Sequence, residues 1–154
     1  MAITGPLYRP GGKWPVVGGK LCVNARSRCC CPCTDITIEL VITYNGGSCG
    51  DAHGYCSDIE GTYEITGSGY PSCSFVGSCG SFQFFLIYDA ATQTWGAGAV
   101  GPDGGWGFTG YGEPDDVTSN VSCVNNELTA SFTLNGTVGS ECENCSISVS
   151  ITTV

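Results

Sequence analysis

The stretch that decides the fold is Ile36-Thr-Ile-Glu-Leu-Val-Ile-Thr-Tyr44, where side-chain character alternates with a period of two. The positions on one side are Ile36, Ile38, Leu40, Ile42 and Tyr44. The positions between them are Thr37, Glu39, Val41 and Thr43. Because successive side chains of a strand point to opposite faces, this alternation predicts a β-strand with one buried face.

The same alternation recurs downstream, at 62–66, 128–134 and 147–151. The segment 82–88 is apolar on both faces and predicts a central strand. No segment has the apolar spacing of an amphipathic helix over three turns. We therefore expect an all-β fold of about six to nine strands: an antiparallel β-sandwich, jelly-roll or immunoglobulin-like, stapled by disulfides, with an extended N-terminal arm.

The charges divide the chain into two parts. All five cations lie in the first 28 residues, and all 14 acids lie from Asp35 to Glu143. This predicts an extended basic arm (1–28) and a cysteine-rich domain (29–154) with no internal Lys or Arg to pair with its acids. So acidic a domain is unsuited to binding nucleic acid or an anionic membrane.

Pro6, Pro10 and Pro15, with two Gly-Gly pairs, exclude a helix or a long strand from the arm. The arm also carries apolar and aromatic side chains, which either pack on its own domain or anchor it to a neighbouring subunit. Aromatic and arginine side chains are the usual anchors of interfaces. The predicted partner-binding residues are Leu7, Tyr8, Arg9, Lys13, Trp14, Lys20, Arg26 and Arg28.

Twelve cysteines predict disulfides in a protein that works outside cells. They are Cys22, Cys29, Cys30, Cys31, Cys33, Cys49, Cys56, Cys73, Cys79, Cys123, Cys142 and Cys145. Local pairs Cys49/Cys56 and Cys73/Cys79 fit the loops between predicted strands. The alternatives are free thiols or a zinc site, whose four thiolates would come from Cys31, Cys33, Cys142 and Cys145.

No constellation predicts catalysis, so we do not expect an enzyme or a cofactor. His53 is the single histidine and lies in a predicted polar loop, which is typical of a solvated residue. Acid pairs that a glycosidase would need occur only in acidic loops. Calcium is a further alternative, because acids and glycines share loops, without EF-hand spacing. The acid pairs are Asp115 with Asp116 and Glu141 with Glu143, and the acids considered for calcium are Asp103, Glu113, Asp115 and Asp116.

Aromatic side chains are concentrated among the glycines of 95–114. Trp95, Trp106 and Tyr111 could form a platform on which sugar rings stack, so a carbohydrate-binding module is an alternative function. The competing interpretation places these side chains in a core or an interface.

The cluster Cys-Cys-Cys-Pro-Cys (29–33), the strand 36–44, Gly-Thr-Tyr-Glu-Ile (61–65) and Phe-Leu-Ile-Tyr-Asp…Thr-Gln-Thr-Trp (85–95) form a recognisable arrangement. With the C-terminal Ser/Thr-rich strand, it resembles cysteine-rich all-β proteins encoded among bacteriophage structural genes. The resemblance implies a virion part, a capsid decoration protein or a tail component, and no catalytic residue.

We therefore expect a capsid decoration (cement) protein that docks through its arm onto neighbouring copies of itself or onto the major capsid protein. The expected assembly is a homo-oligomer without nucleic acid or membrane. The N-terminus lacks the basic and apolar regions of a signal peptide. The expected location is the virion, made in the host cytoplasm and working outside the cell; a secreted or cell-surface location is the alternative.

Overall fold

The computed structural model describes residues 16–17, 20–21, 33, 35–47, 51–67, 74–89, 92–109 and 115–154. These residues form twelve strands, all paired antiparallel, and two 3-10 helices, Asp51–Ile59 and Thr118–Asn120. The strands are β1 (Val16–Val17), β2 (Lys20–Leu21), β3 (Thr37–Gly47), β4 (Gly61–Thr66), β5 (Ser74–Cys79), β6 (Phe82–Asp89), β7 (Thr94–Val100), β8 (Trp106–Thr109), β9 (Asp115–Asp116), β10 (Val121–Val124), β11 (Glu127–Gly136) and β12 (Cys145–Thr153). The prediction of an all-β fold is confirmed.

Ten of the strands form one sheet. Its order is β4-β3-β12-β11-β8-β7-β6-β5, with β10 beside β11 and β9 beside β7. The expected number of strands was too low, because the sheet includes short strands such as β9 that carry no periodic signal. Within the described part of the arm, β1 and β2 pair with each other as a separate two-stranded sheet.

The sheet nearly closes, because its edge strands β4 and β5 lie against each other. Gly77 on β5 makes this approach possible: a Cβ atom there would lie 2.7 Å from the side chain of Ile65 on β4. Both halves of the sheet contribute to a single core. In the sheet, the two halves are hydrogen-bonded to each other by the β8–β11 ladder, which has two residue pairs. That the halves pack as a sandwich stays a prediction.

The predicted alternation is confirmed in β3, β11 and β12, whose inward side chains are buried while the residues between them are more exposed. Tyr44, at the end of the β3 series, is only half-buried. The predicted central strand β6 is paired on both sides, by β5 and β7. The largest buried side chains include Phe75, Phe82, Phe84 and Phe108.

The segment that begins at Asp51 differs from its prediction as a polar loop. It forms a 3-10 helix that buries Cys56 and Ile59 completely. These two residues are three apart, and side chains at that spacing lie on the same side of a 3-10 helix. The burial of this side draws the helix onto the sheet.

Two disulfides join distant parts of the chain, Cys33–Cys123 and Cys56–Cys142. Cys145 is also disulfide-bonded. The predicted local pair Cys49/Cys56 is therefore wrong, since Cys56 bonds to Cys142. The four-thiolate zinc site is wrong as well, because Cys33 and Cys142 are each bonded to another cysteine.

Cys79 is a free thiol and fully buried, so the predicted Cys73/Cys79 pair and the assignment of Cys79 to a disulfide are wrong. Burial raises the pKa of the Cys79 thiol to about 12, and the thiol therefore stays protonated at neutral pH. The predicted disulfide residues that lie outside the described part of the chain are Cys22, Cys29, Cys30, Cys31, Cys49 and Cys73.

Candidate functional site

Among the described residues, a cleft of about 270 Å³ lies at one end of the sheet, and we call it the aromatic–acidic cleft. It lies between the 3-10 helix Asp51–Ile59, the loop between β7 and β8, and the loop between β11 and β12, and the first residues of β6 and β8 also line it. Its lining residues are Tyr55, Phe82, Gly101, Asp103, Gly105, Trp106, Gly107, Thr137, Val138, Gly139 and Ser140.

Aromatic rings build the apolar part of this cleft. Tyr55 stacks on Phe82 with ring centroids 6.1 Å apart and an angle of 23° between the rings. Phe82 is buried and in turn contacts Phe108, at 5.6 Å between centroids. Offset and tilted ring pairs at these distances are favourable. The tyrosine is therefore held on a packed aromatic base.

Trp106 forms another wall and is half-buried. Its ring packs against Phe85, with centroids 5.7 Å apart. The ring also lies close to the backbone of β7, because a Cβ atom on Gly98 would come within 2.5 Å of it. Glycine at this position thus lets the indole lie against the face of the sheet that carries Phe85.

Asp103 brings a carboxylate to the cleft from the tight loop between β7 and β8. Its Oδ1 accepts a hydrogen bond from the N–H of Gly105 at 3.3 Å. The same loop is closed by backbone bonds from Gly101 N–H to the Gly105 carbonyl and from Gly104 N–H to the Gly101 carbonyl. Gly104 has a φ of +82°, which favours glycine.

A second carboxylate, Glu141, accepts a hydrogen bond from the Tyr55 hydroxyl. Burial of the tyrosine, this hydrogen bond, and the negative charges of Glu141 and Asp103 raise the pKa of Tyr55 to about 12. Tyr55 therefore stays protonated at neutral pH and acts as a hydrogen-bond donor. Both carboxylates disfavour a further negative charge in the cleft.

The Cys56–Cys142 disulfide lies directly behind this hydrogen bond, because Cys56 follows Tyr55 and Cys142 follows Glu141 in the chain. Both cysteines are buried. The covalent bond thus fixes the 3-10 helix relative to the β11–β12 loop. The same loop is held internally by Ser140 Oγ, which donates to the Thr137 carbonyl at 2.7 Å.

The described surface of the domain is acidic. Every acidic side chain described is exposed except Glu39, which is half-buried. No Lys or Arg occurs between residue 29 and the C-terminus. The cations that can neutralise this surface must come from the arm or from another molecule.

The predicted partner-binding side chains lie outside the described part of the structure. Lys20 belongs to β2, but only its place in the strand is described. The others lie in undescribed parts of the arm: Leu7, Tyr8, Arg9, Lys13, Trp14, Arg26 and Arg28. Their role as anchors stays a prediction.

The predicted sugar platform does not form as a set. Trp95 is only 4% exposed and packs against Tyr88 and Phe75 in the core, so its ring is not available for stacking. Trp106 does reach the cleft, and Tyr111 lies outside the described residues. Sequence reasoning missed Tyr55, because nothing in the sequence around it indicates a binding site. Its neighbour Cys56 was predicted only as a disulfide residue.

Of the other chemical candidates, His53 lies within the 3-10 helix, and its side chain is outside the described set. Asp115 and Asp116 form β9, but their side chains are not described, and Glu113 lies outside the described residues. Among the described residues, no three His, Cys, Asp or Glu side chains converge as a metal site would require. Neither helix in the described part is long and apolar enough to span a bilayer.

No protein-family model matches this chain, and no curated protein or solved structure matches it either.

Proposed function

We propose that this chain is a structural protein of a virus particle, an accessory protein of the decoration type on a bacteriophage capsid, and that it attaches through its basic N-terminal arm. The observation that carries the proposal is the separation of charge. The domain exposes carboxylates and contains no Lys or Arg, while the arm has five cations and no acid. An arm of this composition is complementary to the surface of a neighbouring copy.

The construction of the domain supports the same role. Disulfides join segments 90 and 86 residues apart, and bonds over such distances stabilise a small domain by restricting its unfolded chain. The nearly closed sheet leaves few strand edges open to unwanted pairing. A part displayed on the outside of a particle needs both properties.

The test is self-association at low and high salt, measured by light scattering on a sizing column. The variant replaces the five arm cations by Gln: Arg9→Gln, Lys13→Gln, Lys20→Gln, Arg26→Gln and Arg28→Gln. It keeps Cys22 and therefore the full cysteine complement, unlike an arm deletion. We expect the wild type to form oligomers that dissociate as salt screens the charges, and the variant to stay monomeric. Oligomers of the same size in both proteins would refute attachment through the arm charges.

A second candidate is a carbohydrate-binding module, favoured by one observation: the aromatic–acidic cleft places Trp106 and Tyr55 beside the carboxylate of Asp103. A glycan array with the wild type and Trp106→Ala tests it. Binding that the substitution abolishes would favour this function over assembly.

A further inference from the structure

We infer that the aromatic–acidic cleft binds an arginine or lysine side chain presented by the arm of a second copy of this chain. This inference rests on the proposed function and names the receiving site of the arm.

The charges of the cleft call for a cation. Asp103 lies in its wall, and Glu141 lies next to Ser140 of the same wall. Burial is the main cause of the raised pKa of Tyr55, and the charges of Glu141 and Asp103 raise it further. The domain has no Lys or Arg of its own to pair with these carboxylates.

The hydrogen-bonding groups of the cleft favour a donor as ligand. The N–H groups of Gly101, Gly104 and Gly105 all donate within their own loop. The hydroxyls of Tyr55 and Ser140 also donate to protein acceptors. The carboxylates can accept further bonds, because each has several lone-pair sites.

These engaged donors favour a basic side chain over a sugar as the ligand. Guanidinium and ammonium groups have only donors, which match a cleft rich in acceptors. Sugar hydroxyls also need donors from the protein, and the donors named above are already engaged. A guanidinium can in addition form paired hydrogen bonds with one carboxylate.

The shape of the cleft agrees with the charge argument. A volume of about 270 Å³ is large enough for one long side chain. Tyr55, which is stacked on Phe82, supplies aromatic surface, and cations bind to the faces of such rings. The stem of an Arg or Lys would lie along the apolar rings while its charged end meets the carboxylates.

The arm is the source of this side chain because all five cations of the chain are in residues 1–28. The arm of a second copy gives a head-to-tail contact, in which one copy provides the cation and the other the cleft. Such contacts continue from copy to copy, as expected of a protein that covers a particle.

The first test titrates the full-length protein with a synthetic peptide of residues 5–20, which contains Arg9, Lys13, Trp14 and Lys20 but no cysteine. Calorimetry is run at low salt on proteins that also carry the five Gln substitutions of the arm, so that their own arms do not compete for the cleft. The cleft variant is Asp103→Asn with Glu141→Gln, which keeps oxygen acceptors for Gly105 N–H and the Tyr55 hydroxyl. The matched control removes two exposed acids on strands, Glu64→Gln with Glu127→Gln.

We expect the cleft variant to bind the peptide about tenfold more weakly, and the control to change affinity less than about twofold. Equal losses in both variants would show unspecific attraction to an acidic surface and overturn the inference. Cello- or chito-oligosaccharides that bind the wild type, and whose binding Trp106→Ala abolishes, would overturn it in favour of a sugar ligand.

The second test mixes two full-length variants at low salt, one with the neutral arm and one with the altered cleft. Each alone lacks one half of the contact. We expect a one-to-one complex only in the mixture, seen by light scattering. If the wild type associates through its arm and the cleft variant associates equally well, the proposed function stands and this inference fails. If the wild type does not associate at all, the proposed function fails, while the peptide titration still decides whether the cleft receives a cation.

Discussion

Removing the Cys56–Cys142 bond by Cys56→Ala with Cys142→Ala should lower the free energy of unfolding by about 4 kcal/mol. The two residues are 86 positions apart, but the Cys33–Cys123 bond already shortens the path between them. From 33 to 56 is 23 positions and from 123 to 142 is 19, so the bond closes an effective loop of about 42 residues. The chain-entropy relation for a loop of that length gives ~4 kcal/mol.

The matched control is Cys33→Ala with Cys123→Ala. With the Cys56–Cys142 bond intact, this second bond closes the same effective loop, and its entropic contribution should be equal. A larger loss in the Cys56/Cys142 variant would then measure what this bond adds locally, where it lies behind the Tyr55–Glu141 hydrogen bond.

The assay is equilibrium unfolding in urea, followed by tryptophan fluorescence. Mildly acidic buffer keeps free thiols protonated and so prevents disulfide exchange. The slope of free energy against urea must also be compared, since an unfolded chain with one fewer cross-link exposes more surface. A loss below about 1 kcal/mol for the Cys56/Cys142 variant would refute the reasoning, because the bond would then not restrict the unfolded chain.

Three further predictions concern single residues. With Cys79 free, eleven cysteines remain, so a monomer holds at most five internal disulfides. Titration of thiols in the denatured, unreduced monomer should therefore find at least two free thiols per chain, and a smaller number would show that Cys79 is paired. Tyr55 has a pKa of about 12 in the folded protein against 10.0 in the unfolded chain, so its effect on the free energy of unfolding should be constant below pH 10 and should lower that free energy as pH rises from 10 towards 12. Glu141→Gln should lower the pKa of Tyr55 in an ultraviolet titration, and an unchanged titration would contradict the hydrogen bond. Gly77→Ala should destabilise the domain by about 1–3 kcal/mol, because the new Cβ atom would meet Ile65 where β4 and β5 approach each other. Adding Ile65→Val should recover part of the lost stability in thermal unfolding, and an unchanged Tm for Gly77→Ala would argue against this close approach.

The strands were predictable wherever one face is buried and the other meets solvent. In β11 and β12, apolar and hydroxyl side chains alternate without interruption, and burial follows the same alternation. The 3-10 helix Asp51–Ile59 was not predictable in this way, because only Cys56 and Ile59 are buried among its residues 54–59, whose side chains are described. The pairing of Cys56 with Cys142 depends on which loops meet in space, and spacing along the chain does not contain that information.

The candidate site was predictable only in part. Trp106 belongs to the aromatic group that the sequence singles out, and it does line the cleft, whereas Trp95 of the same group is buried. Tyr55, Asp103 and Glu141 come from three segments far apart in the chain, and each is unremarkable in its own sequence context. Only the fold shows that they belong together. The resemblance to bacteriophage virion proteins carries no such geometry, and the assignment to a particle stays a proposal.

The two disulfides overlap along the chain, since their cysteines follow in the order 33, 56, 123 and 142. A single peptide bond broken anywhere between residues 33 and 142 therefore leaves two fragments that are still covalently linked. A protease that cuts an exposed loop once cannot release a piece of the domain unless a reductant is also present. Under oxidising conditions the protein can thus persist as a nicked but connected molecule, and reducing conditions would turn the same cuts into loss of the domain.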